Sequence, residues 1–227
     1  MAEHTVAVLG GGTGGLVAAR RLRRLLDAAD RVVVIDRDPD YQFAPSFLWV
    51  MTGTRRPGQV STQRARLRRA GIEVVQAEAR EIDLTGRRVK TSEAEIGFDR
   101  LVIALGAELA PGALPGFPEA AHNLYTLDGA AAAGEALRRF EGGRVAVAVS
   151  SLPYKCPAAP YEAAFLTEAL LRRRRVRDTA IDIYTPEPFP MPTAGPVLGE
   201  ALVEGAHRST LEELADWTLW ADQVVTF

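Results

Sequence analysis

Between Thr5 and Asp36 the chain leaves few options. An apolar, β-branched run from Thr5 to Leu9 breaks into the glycines of VAVLGGGTGGL. A stretch with helical spacing follows from Thr13 to Ala28, and a second apolar run, Arg31 to Ile35, ends at Asp36. Leu16, Ala19, Leu22, Leu25 and Leu26 recur along one side of the middle stretch, as on an amphipathic helix. Strand, helix and strand in this order make a βαβ unit with parallel strands and a right-handed crossover. Gly10, Gly12 and Gly15 stand in a GxGxxG arrangement at the strand-to-helix junction. The first glycine permits a tight turn, the second lets backbone approach a pyrophosphate, and the third lets the helix pack closely on the strand. Asp36, 21 positions after Gly15, stands where an acidic residue bonds ribose hydroxyls. The pattern points to a dinucleotide, and the loop by itself suits FAD and NAD equally. Arg37 beside Asp36 either reaches a ribose phosphate or lies at the surface.

The remaining pattern alternates in the same way. Residues 41–57 are irregular and rich in aromatics and prolines. A short basic helix is expected over Gln59 to Ala70, a strand over Ile72 to Ala79, an antiparallel meander over Ile82 to Ile96, and a buried strand over Leu101 to Leu105, closed by Gly106. Prolines and glycines between 107 and 122 read as a linker. A second βαβ pattern then begins, with helices over Leu127 to Phe140 and Ala158 to Arg174 and strands over Arg144 to Val149 and Ala180 to Tyr184. Thr185 to Pro196 holds five prolines and is no regular element. Leu211 to Ala215 reads as helix and Leu219 to Phe227 as a terminal strand. The expected fold is therefore α/β, with a Rossmann-like nucleotide-binding domain over 1–110, a linker over 111–122 and an incomplete second Rossmann-like domain over 123–227.

Composition excludes several classes. A net charge of −2 from 27 basic and 29 acidic residues gives nucleic acid no footprint. No apolar run reaches the 18 or so residues of a membrane span, and no basic n-region precedes the first apolar stretch, so the start does not read as a secretory signal. A cytoplasmic protein is the expectation. The cluster Arg172 to Arg175 closes a helical pattern, where cations suit the negative end of the helix dipole. His4, His122 and His207 are scattered, with no cysteine or carboxylate at ligand spacing, so no metal site is expected.

One cysteine, Cys156, excludes a disulfide framework within the chain. It lies in SSLPYKCPAAPYE, the segment that follows the strand VAVAV of the second βαβ unit. A nucleotide-binding copy would carry its own glycines there, and this one has none. Side chains and prolines obstruct a pyrophosphate, so the second half is not expected to take a nicotinamide nucleotide. Cys156 precedes Pro157, read as the first helical residue, with Lys155 adjacent. A thiol so placed is expected to ionise more readily than a free one and to be nucleophilic; a buried structural cysteine is the other reading. Glu162 on the following helix is either an acid/base or a solvated carboxylate.

Four stretches, taken together, resemble the two-dinucleotide-binding-domain flavoproteins, and within them the sulfide:quinone oxidoreductase branch. They are the glycine loop with VVVIDR, YQFAPSFLWVMTG, FDRLVIALGAEL and SLPYKCPAAPYEAAFL, with TPEPFPMPTAGP following in the family order. The resemblance covers residues 1 to about 201 and implies FAD as cofactor. It implies that Gly10, Gly12, Thr13, Gly14 and Gly15 hold the pyrophosphate, Asp36 the adenosine ribose with Arg37 beside it, and Ala79 the adenine through its backbone. Pro45 and Ser46 would lie near the flavin or ribityl chain, and Gly106 along the cofactor path. Cys156 would be the catalytic thiol, taking electrons from a small sulfur donor for delivery through flavin to a quinone-like acceptor.

The chain also departs from the family. Leu105 replaces the threonine of its Ala-Thr-Gly motif, and no second cysteine follows Cys156. The family's returning flavin segment with its Gly-Asp has no counterpart, nor has the amphipathic region by which quinone-reducing relatives sit on membranes. The reading is accordingly of a C-terminally shortened homologue with weak FAD retention and no membrane binding of its own. An NAD(P)H-dependent flavin reductase and a catalytically silent FAD-binding fragment are the alternatives.

Overall fold

The computed structural model describes residues 4–113, 115–150, 154–176, 178–186, 207–209 and 223–226. Contacts divide the chain into two units, Met1–Phe43 with Gly58–Leu109, and Ala44–Pro57 with Ala110–Phe227.

In the first unit β1 (Thr5–Leu9), α1 (Thr13–Leu25) and β2 (Arg31–Asp36) form the βαβ motif. Next come β3 (Asp40–Gln42), β4 (Ser61–Gln63), β5 (Glu73–Gln76), β6 (Ala79–Asp83), β7 (Arg88–Thr91), β8 (Glu95–Gly97) and β9 (Arg100–Ile103). A parallel sheet runs in the order β5-β2-β1-β9, with Ala7 opposite Val33 on one side and Leu101 on the other. Val32, Val33, Val34 and Ile35 are all buried, because a parallel sheet is covered on both faces. On one face Ala19 of α1 joins Val8, Val32, Val34, Leu67 and Ile72. On the other, Val89 of the antiparallel β6-β7-β8 meander packs with Leu9, Val33 and Ile35.

Three expectations need correction here. Gln59 to Ala70 is not an α-helix: β4 pairs with β3, and Arg64–Ala70 is a 3-10 helix. Only Arg64 and Leu67 of RARLRRA are buried, too little apolar surface to hold an α-helix in place. Ile72 to Ala79 is two strands, because Ala77 N donates to Asp36 O (3.0 Å) where the chain leaves one sheet for the meander. The strand expected to be buried to Leu105 stops at Ile103 and is an edge, with Ile103 60% and Leu105 61% exposed.

The second unit holds α2 (Phe47–Met51), α3 (Phe117–Ala120), β10 (Ala121–Asn123), α4 (Leu127–Arg139), β11 (Gly143–Ala148), α5 (Ala159–Arg173), β12 (Thr179–Pro186), β13 (His207–Ser209) and β14 (Gln223–Thr226). Its sheet is parallel throughout, in the order β10-β14-β11-β12-β13. The stretch read as linker thus contains a short helix and a strand. Thr126 caps α4 by accepting from Gly129 N (3.0 Å), as an N-cap threonine does. Phe47, Leu48, Val50 and Met51 of α2 are buried and α2 packs on α4. A Cβ on Gly134 would come within 2.5 Å of Met51 O, so glycine sets the closeness of the two helices. By contact residues 44–57 therefore go with the second unit, whereas the division drawn from sequence runs unbroken from 1 to 110. Leu211 to Ala215 and the prolines after Pro186 lie outside the described residues. No helix among the described residues is long and apolar enough to cross a membrane.

Candidate functional site

The glycine loop joins β1 to α1 over the C-terminal end of the first parallel sheet, where open α/β sheets hold their ligands. Gly10 has φ +93°, and a Cβ there would lie 2.3 Å from Ala104 O. A Cβ on Gly15 would lie 1.8 Å from Gly10 O, so helix and loop touch backbone to backbone. At Gly12 a Cβ would meet nothing within 4 Å. The loop is closed below and behind, and open at its middle glycine. Gly12 O accepts from Leu16 N (2.9 Å) and starts the helix. The amides of Thr13, Gly14 and Gly15 belong to the first turn, whose N–H groups have no acceptor within the helix and carry its positive dipole end. Thr13 Oγ1 and Tyr41 OH share a hydrogen bond of 3.0 Å.

Beside the loop lies a cleft of about 470 Å³ lined by Gly10, Gly12, Asp36, Ala79, Gly106 and their neighbours. Asp36 Oδ2 accepts from Gly11 N (2.6 Å) and Oδ1 from Asp38 N (2.9 Å). Arg64 Nη2 lies 3.3 Å from the same Oδ2. Arg37 stands at the rim, 60% exposed, with its Nη2 3.5 Å from Glu108 Oε1. The surface alternative for Arg37 thus has an ion-pair partner, itself a lining residue of the cleft. Seven of the anticipated binding residues, Gly10, Gly12, Thr13, Gly14, Gly15, Asp36 and Arg37, are gathered around this loop, and Ala79 and Gly106 line the same cleft. Arg64 was not anticipated. Its signal is absent from local spacing, since it reaches the loop from 53 residues away.

Pro45 and Ser46 form a 3-10 turn just before α2, with Ser46 buried, and by contact they go with the second unit. So does Cys156, which is exposed and free. Its setting differs from the expected one. α5 starts at Ala159 with Pro160 in its first turn, and Cys156 sits three residues earlier with φ 58°. Pro157 lies outside the helix, in a turn where Tyr154 OH donates to Pro157 O (3.2 Å) and Tyr125 OH to Lys155 O (2.6 Å). The Lys155 ammonium lies 5.1 Å from the centre of the Tyr125 ring, a cation–π distance. Burial pushes the Tyr154 hydroxyl up to about 12, with negative charge at Tyr161, Tyr125 and Cys156 adding to it. Tyr125 and Tyr161 are also raised, by burial first. Glu162 is exposed one turn into α5. The turn 154–158 that replaces a second glycine loop contains no glycine. No group of metal-binding side chains occurs among the described residues.

Residues 4–151 match the pyridine nucleotide-disulphide oxidoreductase family. The chain is 31% identical over 193 residues to the sulfide-quinone reductase of Aquifex aeolicus, covering 83% of this chain and 44% of the relative. The X-ray structure of the sulfide:quinone oxidoreductase from that bacterium matches with a TM-score of 0.75 at 28% identity, covering 83% of this chain and 44% of the other. The alternative NAD(P)H-ubiquinone oxidoreductase C1 of Arabidopsis thaliana is 30% identical over 173 residues, covering 66% of this chain and 33% of the relative. The chain spans less than half the length of each of these proteins.

Proposed function

The chain belongs to the pyridine nucleotide-disulphide oxidoreductase family, and from that membership we propose that it forms the FAD-holding part of an oxidoreductase delivering electrons to a quinone. The observation that carries this reading is the shape of the glycine loop. Backbone fills the space at Gly10 and Gly15 and leaves it empty at Gly12, which is the approach a pyrophosphate needs. The adjoining cleft is of ligand size, about 300–1,000 Å³ being usual, and it presents a carboxylate with backbone groups, which suits the adenosine diphosphate half of FAD. Bound FAD supplies the two-electron chemistry.

The chain's own residues bind and orient. First-turn amides at Thr13, Gly14 and Gly15 take the pyrophosphate charge. Asp36 accepts from ribose hydroxyls, Ala79 offers backbone to the adenine, and Gly106 keeps the cofactor's path free of side chain. Pro45 and Ser46 are assigned to the flavin side by family resemblance. Cys156 is the proposed thiol, whose sulfur would join the donor's sulfur in one S–S bond with loss of both S–H protons to solvent and of two electrons to bound FAD as the oxidant, and its exposure supports access to it. The likeness to NAD(P)H-linked quinone reductases supports the quinone end, while the glycine-free turn 154–158 argues against a nicotinamide nucleotide in the second unit.

The test is spectroscopic. The purified chain, supplied with FAD, is expected to show bound-flavin absorbance that sulfide bleaches and a soluble quinone restores. Cys156→Ser should bind FAD equally and lose at least about tenfold in bleaching rate, the scale of a lost nucleophile or more. Absence of bound flavin overturns the cofactor assignment. Bleaching by NADH but not by sulfide overturns the sulfur donor, and undiminished bleaching in the serine variant dismisses Cys156.

A further inference from the structure

Arg64 is only 7% exposed, and a buried guanidinium is tolerated when its donors are fully engaged. Nε donates to Gly11 O (2.9 Å), Nη1 to the carbonyls of Asp38 and Asp40, and Nη2 faces Asp36 Oδ2 at 3.3 Å. That same Oδ2 accepts from Gly11 N at 2.6 Å. Gly11 is thus held at both polar groups, its N–H by Asp36 and its carbonyl by Arg64. The peptide joining Gly11 to Gly12 is planar and trans, so turning the Gly11 carbonyl onto the guanidinium turns the Gly12 N–H the opposite way. The contact also explains a residue that the GxGxxG pattern leaves free. A Cβ on Gly11 would lie 2.4 Å from Arg64 Nε and 2.7 Å from its Cδ.

Resting on the reading of this cleft as an FAD site, we propose that Arg64 is its positioning residue, fixing the peptide plane of the glycine loop and aiming Asp36 at the cofactor's adenosine ribose. A carboxylate has about four acceptor sites. Gly11 N and Asp38 N occupy two at Asp36, one on each oxygen, with the Arg64 guanidinium beside Oδ2 as an ion pair, and the proposal gives an open site to a ribose hydroxyl. Lysine cannot reproduce the arrangement, because its ammonium is a point charge without the planar fork that meets three carbonyls and a carboxylate together.

The test titrates the full chain with FAD and separately with ADP, following flavin fluorescence and its displacement, with thermal unfolding of the ligand-free protein alongside. Arg64→Lys should weaken both ligands by about tenfold, the worth of roughly one charge-assisted hydrogen bond, in protein that still unfolds cooperatively. Gly11→Ala should cost a similar factor, and much less in an Arg64→Ala background than alone, because the two contacts under 3 Å disappear with the side chain and only Asp36 Oδ2, at 3.2 Å from the added Cβ, remains. Unchanged FAD affinity in Arg64→Lys, or losses at positions 11 and 64 that simply multiply, would overturn the proposal. So would a loss for FAD unmatched by ADP, since that puts the effect away from the ribose. If the unaltered chain takes up neither ligand, the FAD reading itself falls, and this assignment with it.

Discussion

Gly10, Gly12 and Gly15 belong to one motif but meet three different surroundings, and substitution separates them. At Gly15 an added methyl would have to displace backbone at 1.8 Å. Gly15→Ala is expected to cost about 1–3 kcal/mol, the usual price of overpacking, read as a lower denaturation midpoint in the ligand-free chain. At Gly12 the same methyl has open space. Gly12→Ala should leave that midpoint nearly unchanged while weakening FAD by about tenfold or more, because it fills the approach that backbone and pyrophosphate share. A Gly12→Ala chain that keeps full FAD affinity would show that nothing binds against that glycine. These positions were legible in the sequence because strand, loop, helix and acid follow one another at short range. Arg64 was not. It is one of 25 arginines, and its partners are backbone carbonyls 24 to 53 residues distant, which no periodicity records.

At the level of elements, the long strands and helices were legible wherever one apolar run served one sheet, as in β1, β2, β11, α4 and α5. Misreadings fell where the chain changes partners. Val74 and Val75 enter the parallel sheet while Ile82 enters the meander, and a continuous β-rich stretch does not announce the switch. The start of α5 lies two residues beyond Pro157, because Pro160 as well as Pro157 suits a first turn, and the turn before it has Tyr154 and Tyr125 donating to the carbonyls of Pro157 and Lys155. Those tyrosines make an alkaline prediction. Tyr154 is held at about 12 in the folded chain, chiefly by burial, against about 10 when unfolded. Its folded value is the higher one, so this contribution is fully present below pH of about 10 and is lost as pH rises through about 12. Tyr184 is raised as well, again by burial first. The thermal midpoint should therefore fall between those pH values, and Tyr154→Phe should flatten part of the fall and leave the rest to Tyr125, Tyr161 and Tyr184. An equally steep fall in the phenylalanine variant would show that Tyr154 ionises normally.

For the molecule as a whole, the excursion of residues 44–57 means that neither unit is a continuous piece of chain. Cutting after Leu109 leaves Phe47, Leu48, Val50 and Met51 without the helix they pack on, and leaves Gly134 of α4 facing nothing from α2. Residues 1–109 alone are expected to bind an apolar dye such as ANS and to aggregate. The same piece with a Gly-Ser linker in place of 44–57 should stay soluble, keep cooperative unfolding and retain the loop for FAD. Equal dye binding by both pieces would show that the excursion is not the exposed surface. The order of synthesis adds a further consequence. Gly134 follows Met51 by 83 residues, and ribosomes add about 5–20 residues per second. The apolar face of α2 therefore waits for about 4–17 seconds after leaving the ribosome before its seat exists, an interval in which a chaperone has an apolar surface to hold.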